Sequence, residues 1–183
     1  MAYELTKGTP ADVQNRDERE QNIYKMLEEL EIEFSYIDHD PALDMAAVEE
    51  MDAQLGLPLC KNLFLRNNNK SQYYMILLPG EKRADLKALK KEIGSSQLSF
   101  GSDEALEELL NITPGAVTAM ALFHDPEEKV QFYIDEEMKD YEVLVCHPCI
   151  NTTSIVLKMN DFFEKVVPKM GRELRFIPIA ERQ

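Results

Sequence analysis

Two neighbouring stretches decide the fold: residues 61–66, Lys-Asn-Leu-Phe-Leu-Arg, and residues 72–78, Gln-Tyr-Tyr-Met-Ile-Leu-Leu. Both are short and rich in apolar and aromatic side chains, which is typical of β-strands with a buried face. The residues between them include Asn67-Asn68-Asn69-Lys70, a turn-forming run, and Pro79-Gly80 ends the second strand. The pattern therefore predicts an antiparallel hairpin at the centre of the chain.

Further strands and helices are predicted on both sides of this hairpin. Helical spacing of apolar residues and capping residues predict helices at 17–30, 44–55, 85–93, 102–110 and 160–170. Extended segments are predicted at 34–39, 98–100, 113–122, 130–134, 141–146, 154–157 and 174–179. We find no linker, internal repeat or low-complexity stretch. We interpret residues 1–183 as a single mixed α/β (α+β) domain with one central mixed sheet flanked by helices.

Charge is distributed unevenly along the chain. The net charge is −14, which opposes nucleic-acid binding, but residues 61–91 carry eight basic and two acidic side chains, a local net charge of +6. This segment is either a solvated face between acidic neighbours or a patch for a phosphate backbone. The residues we assign to such a patch are Arg66, Lys82, Arg83, Lys87 and Lys90.

Three further segments carry residue types that could do chemistry: Lys61-Asn62, then residues 113–118 (Thr-Pro-Gly-Ala-Val-Thr), then His147-Pro148 before Asn151-Thr152. Taken alone, each has an ordinary explanation. A lysine at a strand end is usually a surface residue, a glycine after proline serves a turn, and a histidine before proline is often structural. The residues by themselves leave both interpretations open.

In their order and spacing, however, these segments resemble the YbaK-like, prolyl-tRNA synthetase-associated editing domain family, over about residues 16–179. The resemblance implies that the chain hydrolyses a wrongly attached amino acid from tRNA, acting in trans. In the prolyl branch of the family the leading substrate is alanine on tRNA(Pro). The expected partners are the acceptor end of aminoacylated tRNA and, secondly, prolyl-tRNA synthetase, with no DNA and no cofactor or metal.

The resemblance also implies roles for individual residues. Lys61 would hold the phosphate of the terminal adenosine, backbone amides near Gly115 would face the scissile ester, and His147 would line the aminoacyl pocket. The residues expected to contact the substrate beside them are Asn62, Ala116, Ala119, Asn151 and Thr152. Ala119 stands where the family pattern Gly-x-x-x-Pro has proline, which makes selectivity harder to predict than activity.

Other functions remain open at this stage. One is a Cys-tRNA deacylase of the YbaK type, and another is a tRNA- or synthetase-binding module without catalytic activity. Cys146 and Cys149 have the CxxC spacing of redox or zinc sites, but a β-branched segment follows them where a redox motif would need a helix, so buried thiols are the better explanation. The chain shows no long apolar run and no signal sequence at its start, so we expect a cytoplasmic protein.

Overall fold

Nine strands make up two β-sheets in the computed structural model, which describes residues 4–41 and 53–182. The five-stranded sheet has the order β5-β3-β4-β6-β9, and the four-stranded sheet has the order β1-β2-β8-β7. The strands are β1 (Thr6–Lys7), β2 (Phe34–Asp38), β3 (Cys60–Arg66), β4 (Tyr73–Pro79), β5 (Ser99–Phe100), β6 (Val130–Asp135), β7 (Val143–Cys146), β8 (Thr153–Lys158) and β9 (Phe176–Ile177).

The predicted hairpin is confirmed as β3 and β4, which pair antiparallel with Asn62 opposite Leu77. The five-stranded sheet is mixed, as predicted, because β6 runs parallel to both β4 and β9. The four-stranded sheet is antiparallel throughout and was not predicted as a separate sheet. Strand patterns in a sequence identify strands but not their partners, so a single sheet was the simpler expectation.

Four of the predicted helices are confirmed among the described residues, three of them beginning at the predicted capping residues. They are α1 (Glu18–Glu29), α2 (Leu86–Glu92), α3 (Asp103–Leu110) and α4, which runs through Met159–Asp161, a π-helical turn at Phe162–Val166, and Val167–Lys169. Asp17, Asp85 and Ser102 each accept a backbone N–H at the start of the first three. The helix predicted at 44–55 falls mainly outside the described residues. No helix in the described ranges is long and apolar enough to span a membrane.

The segment predicted as extended between 113 and 122 differs from that expectation. Its second half is a 3-10 helix, Ala119–His124, and similar helices occur at Val13–Asn15 and Glu136–Asp140. The hydroxyl of Thr118 accepts a hydrogen bond from the amide of Met120 and so caps the helix. A threonine in an apolar run favours a strand, whereas local capping favours the helix, and here capping prevails.

Apolar side chains form two clusters on opposite faces of the five-stranded sheet. The larger includes Phe64 of β3 and residues of the four-stranded sheet, α1, α3 and α4. The smaller includes Leu65 of β3, Leu89 of α2 and Ile179. Because side chains alternate along a strand, Asn62 lies on the face of the larger cluster and Lys61 on the face of the smaller one.

The C-terminal segment completes the side of the sheet that carries α2. Strand β9 adds to β6, and Ala180 accepts a hydrogen bond from the amide of Asp85 at 2.8 Å. The amide of Arg182 donates to the carbonyl of Arg83 at 2.7 Å. The segment after β4 is therefore held in place by residues about one hundred positions further along the chain.

Candidate active site

Gly115 and Asn151 meet at one side of the larger cluster. Gly115 has φ +86°, a value that glycine adopts without strain, and a Cβ at this position would lie 3.4 Å from Nδ2 of Asn151. The turn is closed by the amide of Ala116, which donates to the carbonyl of Thr113 at 3.1 Å. The second and third of the predicted segments are thus in contact.

Asn62 fixes the other end of the same loop. Its Oδ1 accepts a hydrogen bond from the amide of Ala119 at 3.0 Å, so strand β3 holds the start of the 3-10 helix. The side chains of Ala116 and Ala119 are buried, and both of their amides are used inside the protein. Within the described part of the chain, no hydrogen bond uses the amides of Gly115 or Val117, which leaves these two as donors.

His147 follows β7 and its ring is held in one orientation. Nδ1 lies 3.0 Å from the carbonyl oxygen of Thr153, which can only accept, so Nδ1 carries the proton and Nε2 presents a lone pair. Burial lowers the pKa of His147, the nearby ring of His39 lowers it further, and the hydrogen bond to Thr153 opposes the shift. His147 is therefore a neutral hydrogen-bond acceptor at neutral pH.

A cleft of about 510 Å³ lies beside these residues. Asn151 lines it together with Thr113 and Thr152, and Nδ2 of Asn151 also donates to the carbonyl of Pro41 at 3.3 Å. The backbone carbonyl of Thr152 accepts from the amide of His39 at 2.9 Å. Asn151 and Thr152 are thus fixed to the end of β2, on the wall of the cleft.

Arg16 and Asp38, which also line the cleft, were missed from the sequence. Arg16 forms two parallel hydrogen bonds with the carboxylate of Asp38, at 2.7 and 2.6 Å, and this pairing lowers the pKa of Asp38. Asp38 also accepts from the hydroxyl of Thr153 at 2.8 Å, and the carbonyl of Thr153 holds His147. Arg16 also pairs with Asp12 and Glu20, four residues away on either side, but no local motif predicts its bond to Asp38, which is 22 residues away.

Lys61 lies apart from this group. The alternation along β3 points its side chain away from Asn62, toward Arg83 and Glu181. Partial burial lowers the pKa of Lys61, the charge of Arg83 lowers it further, and Glu181 has the opposite effect. Among the residues with described positions, none forms an ion pair with Lys61, so its ammonium group is free to bind an anion.

Some side chains of the predicted basic patch are bound to other groups of the protein, and others are exposed to solvent. Lys82 contacts the buried carboxylate of Asp135 and the carboxylate of Glu137, each at 2.7 Å, so it does not present a free ammonium group. Arg83 and Lys87 are exposed. Lys90 is half-buried and lies 3.5 Å from Oε1 of Gln97, and Arg66 donates to the carbonyl of Asn67. We therefore leave Lys82 out of the phosphate-binding set.

The cysteines have the properties of buried thiols. Burial raises the pKa of Cys149 to about 12 and raises that of Cys146 as well. Cys60 donates from Sγ to the carbonyl of Val145 at 3.0 Å, and all three are free thiols. Since reactive cysteines need a lowered pKa, the raised pKa values of Cys146 and Cys149 disfavour the redox alternative. Nowhere in residues 4–41 and 53–182 do three or more possible ligands group around a metal position.

Comparison with known proteins shows which family the chain belongs to. The chain is 31% identical over 159 residues to the prolyl-tRNA editing protein ProX of Acetoanaerobium sticklandii, covering 87% of this chain and 96% of that protein. It is 27% identical to prolyl-tRNA synthetase associated domain-containing protein 1 of Xenopus laevis, covering 78% and 86%. A crystal structure described as a candidate trans-editing enzyme for prolyl tRNA synthetase superposes with a TM-score of 0.65 at 14% identity, over 91% and 99% of the two chains. The family model described as "Aminoacyl-tRNA editing domain" matches residues 40–165, and this chain belongs to that family.

Proposed function

We propose that this protein removes alanine from mischarged tRNA(Pro) in trans, by attack of water on the ester that joins the amino acid to the tRNA. As a member of the editing domain family, the chain is an aminoacyl-tRNA deacylase, a hydrolase of aminoacyl esters. The similarity to ProX along almost the whole chain supports tRNA(Pro) as the tRNA. The proposed partners are the acceptor end of that tRNA and prolyl-tRNA synthetase, and the proposed location is the cytoplasm.

One observation carries the proposal: two segments far apart in sequence converge on the loop formed by a third, residues 113–119. Asn62 binds the amide of Ala119 at one end of this loop, and Asn151 contacts Gly115 near the other end. Two donors in the loop, the amides of Gly115 and Val117, have no partner among the described residues. Preorganised amides of this kind stabilise the negative charge that develops on the carbonyl oxygen during acyl transfer.

Little more is needed for the chemistry, because an aminoacyl ester is already activated. The site must hold the ester and a water molecule in reacting positions, and such positioning alone can supply several kcal/mol. In the part of the chain that the structure describes, no activated nucleophile lies beside the loop, and the resemblance implies that the tRNA 2′-hydroxyl assists the water. His147 limits the size of the pocket and thereby selects small amino acids, and Lys61 holds the phosphate of the terminal adenosine.

The test is a deacylation assay with tRNA(Pro) charged with alanine, cysteine or proline. We expect rapid loss of alanine, slow loss of cysteine and no loss of proline. Preferred hydrolysis of cysteine would replace this proposal with a Cys-tRNA deacylase, and no hydrolysis of any substrate would leave a binding module.

The same assay tests Lys61. We expect Lys61→Ala to lose most activity with an unchanged unfolding temperature, because a hydrogen bond to a charged group is worth about 1.5–3 kcal/mol. Lys25→Ala on α1, an exposed lysine, is the matched control and should behave like the wild type. Wild-type turnover by Lys61→Ala would refute the role of this lysine.

A further inference from the structure

We infer that Phe100 is a stacking platform for an unpaired base of the tRNA acceptor end, beside a group of basic side chains. The inference rests on the proposed function and deepens it, since it names how the RNA strand is held outside the catalytic loop. Single-stranded nucleic acid is bound by aromatic side chains on which bases stack and by cations that follow the backbone. Both components occur together at strand β5.

Phe100 is unusually exposed. Its side chain is 63% accessible, whereas the other exposed large apolar residues in the described ranges, Leu5 and Leu174, are 37% and 41% accessible. Leu98, two positions earlier, is buried, and so is Leu65, which pairs with Phe100 across the sheet. Paired residues share a face, so Phe100 stands just beyond the edge of the smaller cluster.

The backbone holds this ring in a fixed place. Phe100 and Ser99 pair with Leu65 and Arg66, and the next amide, that of Gly101, donates to the carbonyl of Phe64 at 2.9 Å. A Cβ on Gly101 would lie 2.3 Å from the Phe64 ring, so only glycine allows this close approach. Since the backbone at Phe100 is already fixed, only the side chain has to be ordered when a base stacks on it.

A basic side chain lies close to the platform on the same face. Nζ of Lys90 is 3.5 Å from Oε1 of Gln97, three residues before Phe100. Arg66, which is opposite Ser99 in the ladder, projects from the other face of the sheet and is not part of this group. Helix α2 packs Leu89 against Leu65 and Leu98, which places its lysines along the face from which Phe100 projects. Asp103 and Glu104 follow Phe100 by three and four residues, in the first turn of α3, and carry the opposite charge.

Charge complementarity identifies the occupant. Residues 61–91 carry a net charge of +6 in a chain whose net charge is −14. Lys82 is ion-paired and Arg66 projects from the other face, but Lys61, Arg83, Lys87 and Lys90 remain to attract an anionic strand. Lys61 lies on the same face of β3 as Leu65, four residues away, or about 13 Å along a strand. The RNA end would therefore pass from the phosphate site at Lys61 to the base platform at Phe100.

A single tryptophan tests this directly, because the chain contains none. Phe100→Trp keeps an aromatic platform and makes it fluorescent, and stacking of a base should quench it. The probe is an uncharged tRNA(Pro) acceptor minihelix with its unpaired CCA end, compared with the same minihelix lacking CCA. Leu174→Trp, at another exposed apolar position, is the control. We expect saturable quenching only for Trp at position 100 and only with the CCA end present.

Affinity gives the second measurement. We expect Phe100→Ala to bind the minihelix about tenfold more weakly, and Phe100→Tyr to bind it like the wild type. The inference would be overturned if Trp at position 100 were not quenched, or if it were quenched equally by the minihelix without CCA. It would also be overturned if the emission changed on raising the protein concentration alone, because that would indicate that a second copy of the chain covers the ring. Since the RNA is uncharged, a failure of deacylation leaves these results unaffected and counts only against the proposed function.

Discussion

Replacing Gly115 by alanine should impair both stability and catalysis, and the two effects can be separated. Gly115 has φ +86°, and a residue with a Cβ pays about 1–2 kcal/mol in the left-handed region. For a chain of this size, 1 kcal/mol corresponds to about 2–4 °C in Tm, so we expect Tm to fall by about 2–8 °C. The added methyl would lie 3.4 Å from Nδ2 of Asn151, at the limit of ordinary contact.

The expected effect on catalysis is larger than the effect on folding. The turn can relieve its strain only by rotating, which moves the free amides of Gly115 and Val117 relative to the ester. A misplacement of about 1 Å in an active site can reduce the rate about 100-fold, so we expect kcat to fall about 10- to 100-fold. The assay is single-turnover deacylation of alanyl-tRNA(Pro) at a temperature well below the Tm of the variant.

Gly8→Ala is the matched control. Gly8 has φ +75° and a Cβ there would meet nothing within 4 Å, so it carries a similar backbone strain away from the loop. We expect a similar loss of stability and unchanged deacylation. If Gly115→Ala retained the wild-type kcat while losing as much stability as Gly8→Ala, the loop would be only a structural turn and the reasoning would be wrong.

Three further predictions concern the loop, the histidine and the thiols. Asn62→Ala should lose about 1–3 kcal/mol of stability in urea unfolding, because the buried amide of Ala119 loses its acceptor, and Asn62→Asp should recover part of it. Burial lowers the pKa of His147 in the folded state, so as the pH falls the unfolded chain takes up a proton at this histidine before the folded chain does. The free energy of unfolding should therefore decrease as the pH drops below about 6.5, and it should decrease less in His147→Gln. Cys146→Ala should keep deacylase activity, and the native thiols should react slowly with iodoacetamide at pH 8.

Most of the elements could be predicted from the sequence because their signals are local. The β3–β4 hairpin follows from two apolar runs around an asparagine-rich turn, and α1 to α3 begin at residues whose side chains cap them. The division into two sheets could not be predicted, since the pairing of β2 with β8 joins residues more than one hundred positions apart. Long-range pairing leaves no trace in the local pattern.

The candidate site, like the fold, could be predicted from the sequence only in part. The resemblance identified Gly115 and Asn151, and their contact in the structure supports the proposed site without testing their roles. Arg16 and Asp38 could not be found, because an ion pair between a turn and a strand end has no sequence signature. Lys82 was misjudged for a similar reason: a lysine in a basic segment looks available for phosphate, and only the fold reveals the carboxylates that bind it.

The attachment of the C-terminal segment also affects how the protein is made. Strand β9 and the bonds from Ala180 and Arg182 complete the face that carries Lys61 and α2. During synthesis, β3 and β4 leave the ribosome about one hundred residues before residues 176–182, so this side of the sheet stays incomplete until those residues emerge. A nascent chain would therefore complete the proposed RNA-binding face only after residues 176–182 are made, and a translational pause before them would delay that step although β3, β4 and α2 are already synthesised.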